Sequence, residues 1–367
     1  VAETAEQEIQ SARSRVTYNF NLVGIRIVTA VTLFAVLGEA NIWLDTTTNT
    51  VLALGYRFGL VLLPVTIHLF GGRSLLVSLA AMAAGAGLLS LNGGLIQSLF
   101  AACLFSYGAA NSGYLIKNVA AQTKRGSANN RIAMNTGAFI AGLVVMLPFL
   151  TKDVLFCGAA GLIAVCAFVA LPRRFDTSLI HVKIFQGQPA VAIVAWISVG
   201  TAMGMLLFGV FSVLPQTILK SGQSLPAWYG LMIILNSAVV VLGQIPTLKL
   251  IEMTGRFRLM VIFTCIVSGF MLLALPEKFQ VHTLAGAVVW VFLISLAECT
   301  FGHIDYYSVR QKTMFIKEIC IGIGAALTVG LMRWVPLPIS SMLVAAIGIL
   351  LTLVWWLLTR RKLSALD

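Results

Sequence analysis

Long apolar runs, separated by short polar punctuation, fill nearly the whole chain. A helix needs about 20 apolar residues to cross the hydrocarbon core of a bilayer. Twelve stretches qualify: roughly 20–43, 51–70, 74–92, 96–121, 131–150, 153–171, 189–219, 226–250, 259–276, 281–308, 316–335 and 338–359. Twelve is six per half. The longest polar-leaning stretch after the N-terminus runs from Pro172 to Gln188 and reads as a linker between halves. The pattern predicts an all-α membrane protein of twelve transmembrane helices in two pseudo-symmetric six-helix bundles. Its expected parts are an N-terminal segment 1–18, a first bundle 19–172, a linker 173–188, a second bundle 189–359 and a tail 360–367.

The halves also echo each other in sequence. Asn135–Ala141 answers Gly322–Thr328, about 187 residues on (135 to 322). The turn at His68–Arg73 answers Glu252–Arg258 at about 184 (68 to 252), and Gly113 answers Gly302 at about 189. Parallel halves in so apolar a chain are a sign of a two-bundle membrane transporter. Glycine is used like a packing residue at Gly85–Gly87, Gly137–Gly142 and Gly322–Gly324. Small side chains there let helix backbones approach closely in lipid; a rocking contact between the halves is the alternative reading.

Composition agrees. Hydrophobic residues make up 59% and charged residues 10%, with a mean hydropathy of +0.95, against about 25% charged in a soluble chain. The net charge of +12 is spread in short clusters between apolar runs, which is a topology signal and not a nucleic-acid footprint. Arg73, Lys124, Arg125, Arg131, Arg173, Arg174, Lys249, Arg256, Arg258, Arg310, Lys312, Lys317 and Arg360 fall on one side of the expected spans; Lys152, Lys220, Lys278 and Arg333 fall on the other. The positive-inside rule then makes both termini cytoplasmic, in a plasma membrane of bacterial inner-membrane type. The first residues, Val1-Ala2-Glu3-Thr4-Ala5-Glu6, lack a basic region and a cleavage site, so they are not read as a signal peptide. They read as a trimmed or tagged end leading into a short cytoplasmic helix. Six cysteines sit singly in apolar stretches with no metal spacing, as buried free thiols.

The turn Glu252-x-x-Gly255-Arg256-x-Arg258 resembles the cytoplasmic loop signature of the major facilitator superfamily. In the first half His68 stands where the acid is usual, and Gly71 and Arg73 remain. Arg131-Ile132-Ala133-Met134-Asn135-Thr136-Gly137-Ala138 resembles the entry to the fifth span of proton-coupled members, and Ala297-Glu298 the Gly-Glu often found in the tenth. The resemblance implies a transporter of the major facilitator fold, nearest to proton-coupled exporters of small molecules, without naming a substrate. Independently of the family, an acid at one helix end can pair with arginines of the next turn and latch two helices in one conformation. His68, Arg73, Glu252, Arg256 and Arg258 are therefore candidates for a cytoplasmic gate, His68 with a pH-sensitive contact.

Ionisable residues inside a span cost about 2.5–3.5 kcal/mol on insertion scales and are functional candidates by default. Glu298 lies deepest, well inside the tenth span, on a face shared with Gly302 and Asp305 if that helix is continuous. Glu298, Asp305, His303 and, at the outer end of the first span, Glu39 are the candidates for proton coupling. Arg26, Arg57 and Lys117 could hold an anion. Asn111 and Asn236 are mid-span polar groups that could bind substrate or join helices, and Trp196, Phe211 and Gln216 could line an apolar substrate cavity. The Lys317-Glu318 pair opening the eleventh span reads as structural.

No nucleophile elbow, phosphate loop, zinc-helix motif or carboxylate cage is legible, so neither enzyme, cofactor nor metal is expected. The expected function is gradient-driven, proton-coupled transport of a small, partly apolar organic molecule by alternating access, with export favoured and a monomer sufficient. Import or exchange of an anionic metabolite or metal chelate is the second reading. An uncoupled lipid translocator or transporter-like receptor is the third.

Overall fold

The computed structural model describes residues 2–91, 93–147, 150–172, 180, 182, 188–222, 226 and 228–363; the side chains of 2–20, 41, 57 and 361–363 lie outside that description. The described chain is helical and has no strand. Fourteen α-helices follow one another: α1 (Ala2–Trp43), α2 (Thr46–Phe58), α3 (Leu63–Phe70), α4 (Ser74–Ser90), α5 (Gly94–Ala120), α6 (Lys124–Val145), α7 (Lys152–Ala170), α8 (Ala190–Lys220), α9 (Tyr229–Met253), α10 (Arg258–Ala274), α11 (Leu284–Glu298), α12 (Phe301–Arg310), α13 (Met314–Trp334) and α14 (Ile339–Leu363). Most of the expected linker, the side chain of Arg57 and residues 364–367 fall outside the described residues.

Among the described residues, ten helical runs are long and apolar enough to cross a membrane. Two local features separate that number from the twelve stretches of the sequence. The expected second and third spans join as one run, Gly59–Ser90, because Gly71–Arg73 continues as a 3-10 turn. Helix α6 is absent from the ten, since its first half carries Lys124, Arg125, Asn129, Asn130 and Arg131. It begins seven residues before the expected 131, where the Thr123 side chain caps it by accepting from the Gly126 N–H. The tenth stretch departs further. It is not one helix but two, α11 and α12, divided at Cys299–Thr300.

Buried apolar side chains fall into two clusters. One runs from Leu22 to Ile180 and also takes in Val309, Met314 and Phe315; the other runs from Ile193 to Trp355. Large apolar side chains such as Ile96, Phe168 and Leu242 point outward, a surface suited to hydrocarbon. Of the six free cysteines, Cys166, Cys299 and Cys320 are buried as expected; Cys103 and Cys157 instead face outward.

The repeat is physical. Gly71 and Gly255 both take φ +50°, which favours glycine, and each starts a 3-10 turn followed by a helix of 17 residues. Gly137 and Gly324 play one role in the two halves. A Cβ on Gly137 would lie 2.7 Å from the Ile27 carbonyl oxygen and 2.9 Å from the Val31 nitrogen; on Gly324 it would lie 2.0 Å from the Thr201 oxygen and 2.9 Å from the Met205 nitrogen. So α6 sits on α1 as α13 sits on α8, backbone against backbone. Gly85 likewise presses on the Phe105 backbone of its own half. These glycines pack helices within a half, against the rocking-contact alternative. Gly142, by contrast, meets the other half, at the Ile234 side chain of α9.

Candidate functional site

At the end rich in arginine and lysine, α5 and α6 meet α12 and α13 through buried charges. Lys117 sits in the last turn of α5, where a cation suits the helix dipole. Asp305 lies midway along α12, and Glu318 lies one turn into α13. Lys117 Nζ donates to Glu318 Oε1 at 2.8 Å and lies 3.0 Å from Asp305 Oδ1. Lys317 Nζ donates to the same two oxygens, to Glu318 at 2.6 Å and to Asp305. Two lysines and two carboxylates thus close a neutral ring. Lys317 and Asp305 are fully buried, and Lys117 nearly so. In so dry a setting each charge needs the others, since an isolated buried ion costs several kcal/mol or more.

Arg131 of α6 extends the ring. Its Nη1 lies 3.7 Å from Asp305 Oδ2, and its guanidinium carbon lies 5.2 Å from the centre of the Phe301 ring. Ser127, one turn earlier, donates to the Gly302 carbonyl at 2.6 Å, and Lys124 lies over the Tyr306 ring. One face of α6 therefore tracks α12. Asn118 adds a contact to the Met314 sulfur, and Tyr114 meets Phe315 edge to face.

The break between α11 and α12 lies beside this lattice. Tightening at Cys299–Thr300 sends the His303 N–H to Thr300, leaving the Cys299 carbonyl without its helical partner. Gln244 of α9 supplies one, donating through Nε2 at 2.7 Å. Glu298 ends α11 at this break, 2% exposed, and accepts from Asn236 Nδ2 at 3.3 Å; Asn236 also donates to Ser295. The expected shared face of Glu298 and Asp305 rested on one continuous helix. The break separates them into two neighbourhoods, Glu298 with Asn236 and Asp305 with the lysines. His303 is fully buried between them in sequence.

Arg26 is buried on α1. Its guanidinium lies against Gly113, where a Cβ would come within 2.7 Å of Nη1, and the side chains of Tyr56, Glu318 and Asp305 bear on it electrostatically. Asn111 is fully buried with neither side-chain polar atom hydrogen-bonded. Arg26, Lys117, Glu298, Asp305 and Asn236 thus fall in or beside this buried cluster.

Other expectations meet a different structure. Trp196 is buried in the second core, its indole donating to Gln311 Oε1 at 2.8 Å. Phe211 packs against the same core. Gln216 lies at the opposite end of the helices, in a groove of about 580 Å³ with Lys220, Arg333 and Trp334. Glu39 accepts from the Trp43 indole one turn on, at 3.1 Å, as an interfacial anchor would. His68, Arg73, Glu252 and Arg256 are exposed, and among the described residues no ion pair joins Glu252 to Arg256. Arg256 lies over the ring of its neighbour Phe257, and Arg258 is half-buried. The charges that join the halves here are deeper ones, and three of them escape the sequence reading. Lys317 and Glu318 read as a structural pair opening a span and not as a join between the halves, and Arg131 reads as part of a motif and of the basic side. Their clue was the adjacency of opposite charges at the start of an apolar run.

No family model matches the chain, and no curated protein matches it. Solved structures do. The chain is similar to the human organic anion transporter MFSD10 (TETRAN), at 12% identity and a TM-score of 0.67, covering 92% of this chain and 99% of that one. It is similar to the POT family transporter PepTSo, at 12% identity and a TM-score of 0.62, covering 94% and 97%. It is also similar to the major facilitator superfamily proton:xylose symporter XylE, at 11% identity and a TM-score of 0.65, covering 93% and 96%. The likeness spans nearly all of each chain, and it shows that this is the major facilitator fold.

Proposed function

We propose that this protein is a secondary transporter that works by alternating access, with twelve crossing segments in two six-helix bundles, 19–172 and 189–359. The single observation behind this reading is the Lys117–Asp305–Lys317–Glu318 ring. It joins one half to the other at one end of the helices, and in this reading its contacts part when that end opens. Such a set of pairs suits a latch better than a permanent strut. Buried ion pairs add little net stability over apolar packing, yet they specify one arrangement sharply. The basic end is taken as cytoplasmic, so the arrangement described here is the one closed to the cytoplasm. The transport of sugar with protons by XylE, of organic anions by MFSD10, and the transporter class of PepTSo support the same class of function here.

The coupling ion in this reading is the proton. Glu298 is its carrier, because it is buried at a helix break and lies outside the neutral ring. The partly apolar export substrate expected from composition is the less favoured choice. It rested on a scarcity of fixed polar groups, whereas the fold gathers seven ionisable side chains (Arg26, Lys117, Arg131, Glu298, Asp305, Lys317 and Glu318) around one interface.

The test is a pair of distances. Spin labels at Arg125→Cys and Arg310→Cys report the basic end, and labels at Asp153→Cys and Lys278→Cys the other, with exposed Cys103 and Cys157 replaced. Alternating access predicts two populations whose distances change in opposite senses, with Lys117→Gln enriching the form open at the basic end. One invariant distribution at both ends, in wild type and variant alike, would overturn it.

A further inference from the structure

We infer that the transported solute is an oxyanion, a carboxylate or phosphate ester, and that Arg131 binds it side-on with Arg26 as a second cation. This rests on the transporter reading and adds the chemical class of its substrate.

The first observation is a charge count. Lys117 and Lys317 are matched by Asp305 and Glu318 within the ring. What remains buried beside it is two arginines, Arg26 and Arg131, against one carboxylate, Glu298. Glu298 takes its hydrogen bond from Asn236, and no ion pair joins it to either arginine among the described residues. Among the described side chains, at least one positive charge is left over in this buried region. A buried uncompensated charge is costly enough that native structures pair it.

The second observation is independent of the count and concerns which donors lack partners. Arg131 is 3% exposed. Its Nη1 faces Asp305, while Nε and Nη2 have no hydrogen-bond acceptor. Those two nitrogens share one edge of the guanidinium. That edge is the fork to which a carboxylate or phosphate binds through two parallel hydrogen bonds. The Phe301 ring, 5.2 Å from the guanidinium carbon, helps fix its plane. Nε of Arg26 also lacks an acceptor. Gly113, against which the Arg26 guanidinium rests, and Lys117 are one turn apart on α5, so Arg26 lies about 6 Å along the helix from the ring. Buried donors without acceptors are rare in native proteins and point to a missing water, ion or ligand.

An oxyanion seated on the Nε and Nη2 edge of Arg131 would share the guanidinium's charge with Asp305, repel that carboxylate and weaken the join between α6 and α12. Substrate arrival and opening of the basic end would then be one event. A cationic or neutral solute would leave the surplus charge in place and has no such effect.

The test uses the purified full chain in detergent and reads thermal stabilisation by millimolar succinate and inorganic phosphate, with glucose and tetraphenylphosphonium as neutral and cationic probes. Low concentrations keep general salt effects small. Wild type should be stabilised in a saturable manner by one or both anions and by neither control. Arg131→Gln should weaken the apparent affinity about tenfold or more, Arg131→Lys less so, and Arg26→Gln measurably. Helicity and monodispersity of each variant show that it is folded. Absence of saturable anion stabilisation, equal response in Arg131→Gln, or stabilisation by tetraphenylphosphonium overturns the oxyanion assignment. The spin-label distances separate the two readings: if they still switch reciprocally while anions fail to bind, the transporter stands and its anionic substrate does not. Distances that never switch overturn the transporter itself.

Discussion

Lys117 on α5 and Glu318 on α13 lie 201 positions apart in the chain and meet at 2.8 Å, nearly buried. Each also has a second partner, Lys117 at Asp305 and Glu318 at Lys317. Removing one member of a buried pair leaves its partner uncompensated, at a cost of about 3–5 kcal/mol. Lys117→Met should therefore lower the melting temperature clearly, followed by tryptophan fluorescence in detergent. The exchanged pair Lys117→Glu with Glu318→Lys should recover part of the loss, because the ring keeps its net charge. If Lys117→Met melts with wild type, the ring does not hold these helices together.

Gly137 and Gly324 make the same backbone contact in the two halves, and the contact forbids a methyl group. A Cβ would stand 2.5 Å from Ala30 Cβ at the first and 2.0 Å from the Thr201 oxygen at the second. Overpacking of this kind costs about 1–3 kcal/mol. Gly137→Ala and Gly324→Ala should each destabilise by that order. Gly158→Ala and Gly161→Ala, where a Cβ meets nothing within 4 Å, should stay near wild type. Equal melting of all four variants would show that the contact is not tight in solution.

That pair of glycines also explains what could be read from the chain. Glycine at a fixed interval in an apolar run is a local signal, since only backbone-to-backbone packing asks for it, and the repeat followed from it. The charged ring left no such signal. Lys317 looks like a helix-end lysine free to reach water, and only the packing of α5 and α12 over it removes the water. Glu298 was legible because an acid deep in a span is anomalous on its own chain. The break at Cys299–Thr300 was not: neither residue is a helix breaker, and the freed carbonyl is satisfied by Gln244 from a distant helix.

Gln244 is the support of that break. Gln244→Leu removes the donor to the Cys299 carbonyl and strands a buried acceptor, at about 1–3 kcal/mol. Ser127→Ala does the same at Gly302, across the two halves. Both should lower thermal stability. Ser127→Ala should also lengthen the distance between labels at Arg125→Cys and Arg310→Cys, whereas Gln244→Leu, which acts within one half, should not. The reverse pattern would show that the two bonds have been assigned to the wrong structural joints.

Asp45 offers a pH test outside the spans. It caps α2, accepting from the Thr48 hydroxyl and the Thr48 and Thr47 N–H groups, and these bonds hold its carboxyl below its ordinary value of 3.8. A lowered carboxylate stabilises the fold above its ordinary value and loses that contribution as pH falls through the folded one. Asp45→Ala should therefore melt below wild type at pH 7, and the gap should close on acidification below 3.8. A gap independent of pH would assign the effect to something other than the charged cap.

Glu298 is the group through which a proton would enter the cycle. It closes α11 beside the break, accepts from Asn236 and feels the charge of Arg131. Protonation would remove the negative charge nearest in kind to offset Arg131 and would turn an acceptor-only carboxylate into a donor. Both changes favour a different partner set at the hinge between α11 and α12. Glu298→Gln fixes the neutral form with the same shape. In wild type the distances between labelled helix ends should shift between pH 5 and pH 8; in Glu298→Gln they should hold at the low-pH distribution across that range. Asn236→Ala, which removes the hydrogen-bond donor but leaves the carboxyl, should keep a pH response and move its midpoint. A Glu298→Gln protein that still follows pH as wild type does would place proton coupling elsewhere, His303 being the next buried titratable side chain along α12.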